Sequence, residues 1–432
     1  MKFLLIAGFS NEEIRSHLDL KEKSRWVNWA LKMLKLPSRS VEFRDHAQWV
    51  VDIINDFEKR NDIELHVLGP HIRLKRRIEE FQLRGVKYHF YQSEWTKFIR
   101  IVGNYKVWER LQNSSGLAKE LADKIKPDLV ILSGAENPTT SYSIMELGEY
   151  PRICLCQTIL NDISVKVVNK RDVLKWNIEK EILQELNHVG VYCKKHYDLL
   201  RQLGYNGNIY KFNYPIENKE VVPQKEQLFD FVNFALNHSS AKGTQDSIRA
   251  LAIVKQKYPL ITLNIVGGVS DQLRQELKIL IKNLDLEKNV IFTPFFERID
   301  DLMNHIVKSR FAILPCKLDY ISGTMGQSMS SGLPIVVYKT TGTPTLNKDK
   351  ECALIADIDD VEGLAKHMIT LLSNPLKAEE LKNNGLWFMI NYGKKSNDNW
   401  ERMVKSMKAI VDYSNSGIPI PPDCFFNEKY DD

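Results

Sequence analysis

The chain has 432 residues, 43% hydrophobic and 27% charged, with 60 Lys and Arg against 55 Asp and Glu for a formal net charge of +5. This excludes a disordered chain and exceeds what one core usually organises, since single cores stop growing near roughly 250–300 residues, so two domains are expected. The slight positive balance comes without a Lys/Arg tract, which argues against nucleic acid and fits an anionic substrate or membrane surface.

The opening Met1-Lys2-Phe3-Leu4-Leu5-Ile6-Ala7-Gly8-Phe9 reads as a buried first strand. Its apolar run is short for a signal peptide and lacks a small-residue cleavage site. No run reaches the roughly 18 apolar residues of a spanning helix, so any membrane role is peripheral and the expected location is the cytoplasm. Two segments then combine aromatic and basic residues at helical spacing. Segment 21–36 places Trp26, Trp29, Ala30, Met33 and Leu34 near one face, with Lys21, Lys23, Arg25, Lys32 and Lys35. Segment 95–110 repeats the pattern with Trp95, Phe98, Ile99, Val102, Tyr105 and Trp108 beside Lys97, Arg100, Lys106 and Arg110. Such stripes suit interfacial helices on anionic lipid, although at helical spacing they more often mark core helices.

Apolar runs at 3–8, 64–68, 129–132, 153–156 and 189–192 alternate with amphipathic patterns such as 46–57 and 116–125. A second series follows the polar stretch 213–227: 229–235, 261–266, 290–292, 311–314, 335–338 and 353–355. Alternation of this kind predicts two doubly wound parallel sheets, with a hinge near 215–225. The expected domains are 1–215, 216–395, and a C-terminal helix and tail at 396–432 packing back toward the first. The six cysteines are scattered without a Cys-x-x-Cys pair, as for buried free thiols in a reducing compartment.

The chemistry concentrates in the second half. Ser322-Gly323-Thr324 lies between an apolar strand and a short helical segment, so it should present backbone amides at a helix N-terminus, a ready anion site. It stands in an ordered set. Ala241-Lys242-Gly243 precedes a helical pattern, Leu263-Asn264-Ile265-Val266-Gly267-Gly268 reads as a strand ending in a glycine pair, and Val290-Ile291-Phe292-Thr293-Pro294-Phe295 as another strand. Ser331-Gly332-Leu333-Pro334-Ile335-Val336-Val337 comes last.

In this order, over about 170 residues, these landmarks resemble the C-terminal domain of family 4 glycosyltransferases. The resemblance implies the GT-B fold, two Rossmann-like doubly wound domains facing a central cleft, and transfer from a nucleoside diphosphate sugar to a saccharide hydroxyl with retention, in polysaccharide or glycoconjugate biosynthesis. It implies no metal and no cofactor beyond the donor. Charge on the departing diphosphate then falls to cationic side chains and helix N-termini, here Lys242 and the Gly323-Thr324 amides. On its own, Lys242 reads as a solvated lysine at a helix start. Pro294 and Phe295 would present backbone to the nucleotide base, and Ser322 would line the same donor site. The family's two glutamates, seven residues apart, align with Asp319 and Gln327. Asp319 would stand near the donor sugar, and Gln327 would hydrogen-bond the ribose through its amide. An arginine usual five residues before the motif lysine is Asn237 here, followed by His238, and an amide cannot replace a guanidinium's bidentate charge. A histidine usual on the acceptor side is replaced at Gln157.

The first half carries the resemblance loosely, through Gly8 and Ser133-Gly134-Ala135-Glu136-Asn137, loops expected at strand C-terminal ends. Glu136 is an acceptor-side contact or base, or else an acid near a helix start ahead of Pro138. A lipid-linked saccharide is one acceptor class, with the aromatic segments on an anionic membrane. Two rivals remain. One is a non-catalytic GT-B subunit that binds a nucleotide sugar or glycan. The other is a nicotinamide-dependent oxidoreductase, disfavoured because no Gly-x-Gly-x-x-Gly fingerprint occurs.

Overall fold

The structure, a computed structural model, describes residues 1–8, 11–20, 33, 47–71, 74–92, 116–156, 158–160, 170–216, 226–296, 298–317, 322–340, 342–429 and 431. The two aromatic and basic segments, Met33 apart, and the site candidates Gln157 and Asp319 lie outside them.

The chain divides into two units, Met1–Glu217 with Lys395–Asp432, and Asn218–Lys394. The first holds an eight-stranded sheet in the order β3-β4-β2-β1-β5-β6-β7-β8. Its strands are β1 (Lys2–Ile6), β2 (Glu64–His71), β3 (Ile78–Leu83), β4 (Val86–Gln92), β5 (Leu129–Ser133), β6 (Arg152–Cys156), β7 (His188–Val191) and β8 (Asn208–Lys211). All pairings are parallel except β3 on β4. Phe3, Leu5, Leu65 and Val67 face one apolar layer while Leu4, Ile6, Leu68 and Val130 face the other. Burial on both faces is why these strands read as unbroken apolar runs and not as alternation.

The second unit has six parallel strands in the order β11-β10-β9-β12-β13-β14. They are β9 (Phe229–Asn237), β10 (Leu263–Gly268), β11 (Val290–Thr293), β12 (Ser309–Leu314), β13 (Ile335–Tyr338) and β14 (Ala353–Ala356). Helices cover both faces, again with two apolar layers. These are two Rossmann-like α/β units, each doubly wound.

The helix Pro375–Ser416 belongs to the second unit up to residue 394 and to the first from Lys395. Its later turns bury Trp400, Met403, Val404, Met407 and Ile410 in the first unit's core. The tail beyond it pairs with the sheet edge: Phe425 bridges Tyr210, the Phe426 amide donates to the Ile209 carbonyl at 2.7 Å, and Cys424 is fully buried. All six cysteines are free and buried.

Candidate functional site

In the second unit, β9 lies between β10 and β12, so the loops leaving these three strands are neighbours at one edge of the sheet. Next to last in β10 is Gly267, whose φ is +128° and where a Cβ would stand 1.8 Å from the Ala235 carbonyl oxygen. Only glycine permits that approach. Beyond β9, His238 is 5% exposed and fully bonded: its backbone amide donates to the Gly268 carbonyl at 2.7 Å, its Nε2 to the Val266 carbonyl at 3.0 Å. A carbonyl only accepts, so Nε2 carries the hydrogen and Nδ1 accepts from the Thr244 hydroxyl at 2.8 Å. Burial pushes this imidazole down to about 4, the Val266 carbonyl opposes the shift, and the Lys242 charge adds to it. His238 is thus a neutral anchor for the loop that presents Lys242. Asn237, its neighbour, is exposed.

The Ser240–Lys242 turn closes on Gly243, whose φ is +67°. A Cβ there would lie 2.1 Å from the Pro315 carbonyl oxygen, so the turn sits directly against the loop after β12. The Lys317 amide donates to the Ala241 carbonyl at 2.9 Å, and Lys242 Nζ lies 3.8 Å from Cys316 Sγ. Lys317 Nζ pairs with Asp246 at 2.8 Å and with Asp359. Burial works against its charge, but the hydrogen bonds to the two aspartates prevail and raise its pKa. Asp246 also accepts from Tyr338 at 3.2 Å and Arg249 at 3.0 Å. Lys317 therefore spends its charge tying the two loops together, while Lys242 stands half-buried between them.

The loop leads to the helix Gly323–Ser330. Ser322, its N-cap, is 7% exposed and hydrogen-bonds the Thr324 hydroxyl at 2.8 Å, making no side-chain bond to a backbone amide. Among the described residues nothing lies within 4 Å of a Cβ placed on Gly323 at the helix start. Gln327 is half-buried one turn on from Gly323, on the same helical face. Pro294 and Phe295 follow β11, at the end of the strand order, the proline exposed and the phenylalanine half-buried. Lys242, Ser322, Gly323 and Thr324 thus stand on two loops that touch, joined by residues that sequence reasoning did not single out: Cys316, Lys317 and Asp246. Among the described residues no cluster of three or more His, Cys, Asp and Glu is placed to hold a metal ion.

In the first unit, Gly8 follows β1 and the 134–137 loop follows its neighbour β5. A Cβ on Gly8 would lie 2.5 Å from Thr140 Oγ1, so Gly8 sits against the short helix Pro138–Ser141 that follows the 134–137 loop. Gly134 has φ +81°, and the Glu136 carboxyl folds over it, with Oε2 2.3 Å from where a Cβ would stand. Burial, with help from the Glu179 charge, raises the Glu136 carboxyl to about 7, against a backbone hydrogen bond and Lys175. Among the described residues, Glu136 Oε2 is buried without a hydrogen-bond partner, and the buried Tyr214 and Ser133 hydroxyls stand close enough to interact with each other. Tyr214 was not a sequence candidate; only its place after β8 signals it.

Comparison with known proteins bears on the second unit first. Residues 216–386 match the family described as glycosyl transferases group 1. Among curated relatives is a GDP-mannose-dependent alpha-(1-6)-phosphatidylinositol monomannoside mannosyltransferase of Mycolicibacterium smegmatis, 23% identical over 167 residues. That match takes in 37% of this chain and 41% of the mannosyltransferase. Solved structures resemble the chain over nearly its whole length. Sucrose-phosphate synthase from Thermosynechococcus elongatus gives a TM-score of 0.68 at 13% identity, covering 95% of this chain and 99% of that one. Anabaena Alr3699/HepE, solved with UDP and glucose, gives 0.63 at 14% identity, covering 94% and 100%. These neighbours have the GT-B fold, and so does this chain.

Proposed function

We propose that this protein transfers a sugar from a nucleoside diphosphate sugar to a hydroxyl of a saccharide acceptor, with retention at the anomeric carbon. The observation that carries this reading is the seating of Lys242 in the domain of group 1 type: Gly243 against Pro315 and Lys317 against Ala241 hold it beside the loop leading to a helix N-terminus. A cation and helix-start amides on adjoining loops match the charge of a departing nucleoside diphosphate. Metal is then unnecessary. Asp319 is assigned to the donor sugar, Gln327 to the ribose, and Pro294 and Phe295 to the base. His238 contributes by holding the lysine's loop in place.

On the acceptor side, Gly8, Glu136 and Gln157 are the assigned contacts. The buried Glu136 Oε2, without a hydrogen-bond partner among the described residues, supports a polar acceptor rich in hydroxyls. The two aromatic, basic segments favour a lipid-linked saccharide reached from the cytoplasmic membrane face. A second reading, a non-catalytic subunit that binds the donor, is favoured by Asn237, an exposed neutral amide where the resembled family has arginine.

The deciding experiment is a calorimetric screen of UDP, GDP, ADP and their sugar conjugates on the wild type, Lys242→Ala and Lys255→Ala, followed by product analysis across saccharide acceptors. Lys255 pairs with Asp285 at 2.9 Å and serves as a control cation. Donor binding lost only in Lys242→Ala, with transfer by the wild type, supports the enzyme. Binding without transfer supports the partner subunit, and equal behaviour of both variants sinks the phosphate role of Lys242.

A further inference from the structure

Away from both sites, on the outer strands of the first unit, four titratable side chains form an unbroken row across β2, β4 and β3. Glu64 Oε1 lies 3.0 Å from His66 Nε2, His66 Nδ1 lies 2.8 Å from His89 Nε2, and His89 Nδ1 lies 2.6 Å from Glu80 Oε1. The two ring planes are 6° apart and the centroids 5.0 Å apart, so the rings lie side by side, edge to edge, and the residues are 5% and 6% exposed. The charged groups facing them are Glu64 on β2, Lys87 on β4, Glu80 on β3 and Lys124 on the helical stretch 116–125. Lys87 bonds Glu64 at 2.6 Å and Lys124 bonds Glu80 at 2.7 Å.

The protons in this row can be counted. Hydrogen bonds from Lys87 and His66 hold the Glu64 carboxyl down to about 2. Burial favours the neutral form of Glu80, but its bonds to Lys124 and His89 prevail and lower its pKa too. Both carboxylates are ionised at neutral pH and only accept. His66 Nε2 and His89 Nδ1 must then both carry hydrogen. If the rings were neutral, the remaining nitrogens, His66 Nδ1 and His89 Nε2, would oppose two lone pairs at 2.8 Å, away from solvent. Three contacts need three protons, and two neutral imidazoles supply two.

We propose that the Glu64–His66–His89–Glu80 row is a proton-binding site that holds one imidazolium shared between its two histidines at neutral pH, locking the β3–β4 hairpin to β2. For each ring taken singly, burial prevails over the carboxylates and lowers the pKa, and at His66 the charge of the other ring adds to it; the pair sharing one proton behaves differently, because that proton completes every contact in the row. The two protonation steps of the pair differ. The first proton enters between two carboxylates and completes every contact. A second would set two cations 2.8 Å apart and is excluded. The first step therefore has a folded-state pKa above the ordinary histidine value of about 6.5. Its stabilisation is complete below that value and is lost as pH rises through the folded one, when the proton leaves to solvent and one contact in the row opens.

The test is imidazole ¹⁵N spectroscopy of the intact protein from pH 6 to 9.5, with assignments from His66→Gln and His89→Gln. One coupled step, moving both rings together above pH 7, is expected. His188, bonded to the Tyr210 hydroxyl at 2.8 Å, stays neutral and is the internal reference. Glu80→Gln, at a side chain 35% exposed, guards against variants that fail to fold and should lower the step by roughly 1–3 pH units. Two neutral rings at pH 6.5, or a step that Glu80→Gln leaves in place, would overturn the proposal.

Discussion

Replacing Gly243 with alanine separates the strain of a left-handed residue from the contact that seats Lys242. Two costs combine at this position. An L-residue at φ +67° loses roughly 1–2 kcal/mol against a right-handed conformation. The new methyl would also meet the Pro315 carbonyl at 2.1 Å, closer than real contacts come, so backbone must move, and forced overpacking costs roughly 1–3 kcal/mol. Gly332→Ala is the matched control in the same unit. Its φ is +70°, but the nearest atom to a Cβ is Lys382 Cε at 3.5 Å, an ordinary contact at the end of a flexible chain. The control should lose about 1–2 kcal/mol and Gly243→Ala about 2–5 kcal/mol, with melting temperatures following at roughly 2–4 °C per kcal/mol. The sharper readout is ligand response. A nucleotide that stabilises the wild type should still stabilise Gly332→Ala and should lose most of its effect on Gly243→Ala, because the Lys242 turn no longer rests on the loop before Ser322. Equal melting losses with equal nucleotide responses in both variants would refute the reasoning.

Three further outcomes follow from the buried groups. His238 and His188 are both held near 4 by burial, below the unfolded value of about 6.5, so the fold binds fewer protons than the unfolded chain between those limits. Stability is expected to fall as pH drops from 6.5 toward 4, by up to about 3 kcal/mol for each histidine, and His188→Gln should flatten the slope for the first unit in denaturant titrations. Glu136 moves the other way, its carboxyl raised to about 7, so its burial is harmless when protonated and costly above that pH. Glu136→Gln should raise the melting temperature at pH 8 and leave it unchanged at pH 5, a pattern that calorimetry at the two values checks. Removing residues 418–432 strips Cys424, Phe425 and Phe426 from the first sheet's edge along with the pairing to Ile209 and Tyr210. Denaturation should then show a weakened first unit with the second unit unchanged, and loss spread evenly over both would contradict this account of the tail.

Parallel strands buried on both faces leave a strong mark in sequence, which is why the apolar runs at 3–8, 129–132, 311–314 and 335–338 fall on β1, β5, β12 and β13. The hairpin of β3 and β4 left no such mark. Its strands carry Glu79, Glu80, Lys87 and His89 among the apolar residues, and its turn is Arg84-Gly85, both at positive φ. Arginine is an unusual first residue for such a turn, where asparagine or aspartate is the signal. Two of the polar residues that hid the strands, Glu80 and His89, also build the proton row, so the feature that obscured the element is also part of its chemistry.

The site was legible in a different way. Glycines announce backbone constraints, and in the structure Gly243 and Gly267 mark close approaches of backbone to backbone. What order cannot convey is which groups each charge meets. Lys242 and Lys317 are both lysines at strand ends, and nothing in their neighbours along the chain distinguishes them. Spatially, Lys317 is engaged by Asp246 and Asp359, residues 71 positions before it and 42 after it by their numbers, so it works as a clamp and not as a phosphate ligand. His238 is the same lesson in reverse. Beside Asn237 it looks like a polar ligand, but the Thr244 hydroxyl and the Val266 carbonyl occupy both ring nitrogens and leave none for a donor. The candidate site in this unit is therefore defined by contacts between loops that no spacing rule along one strand records.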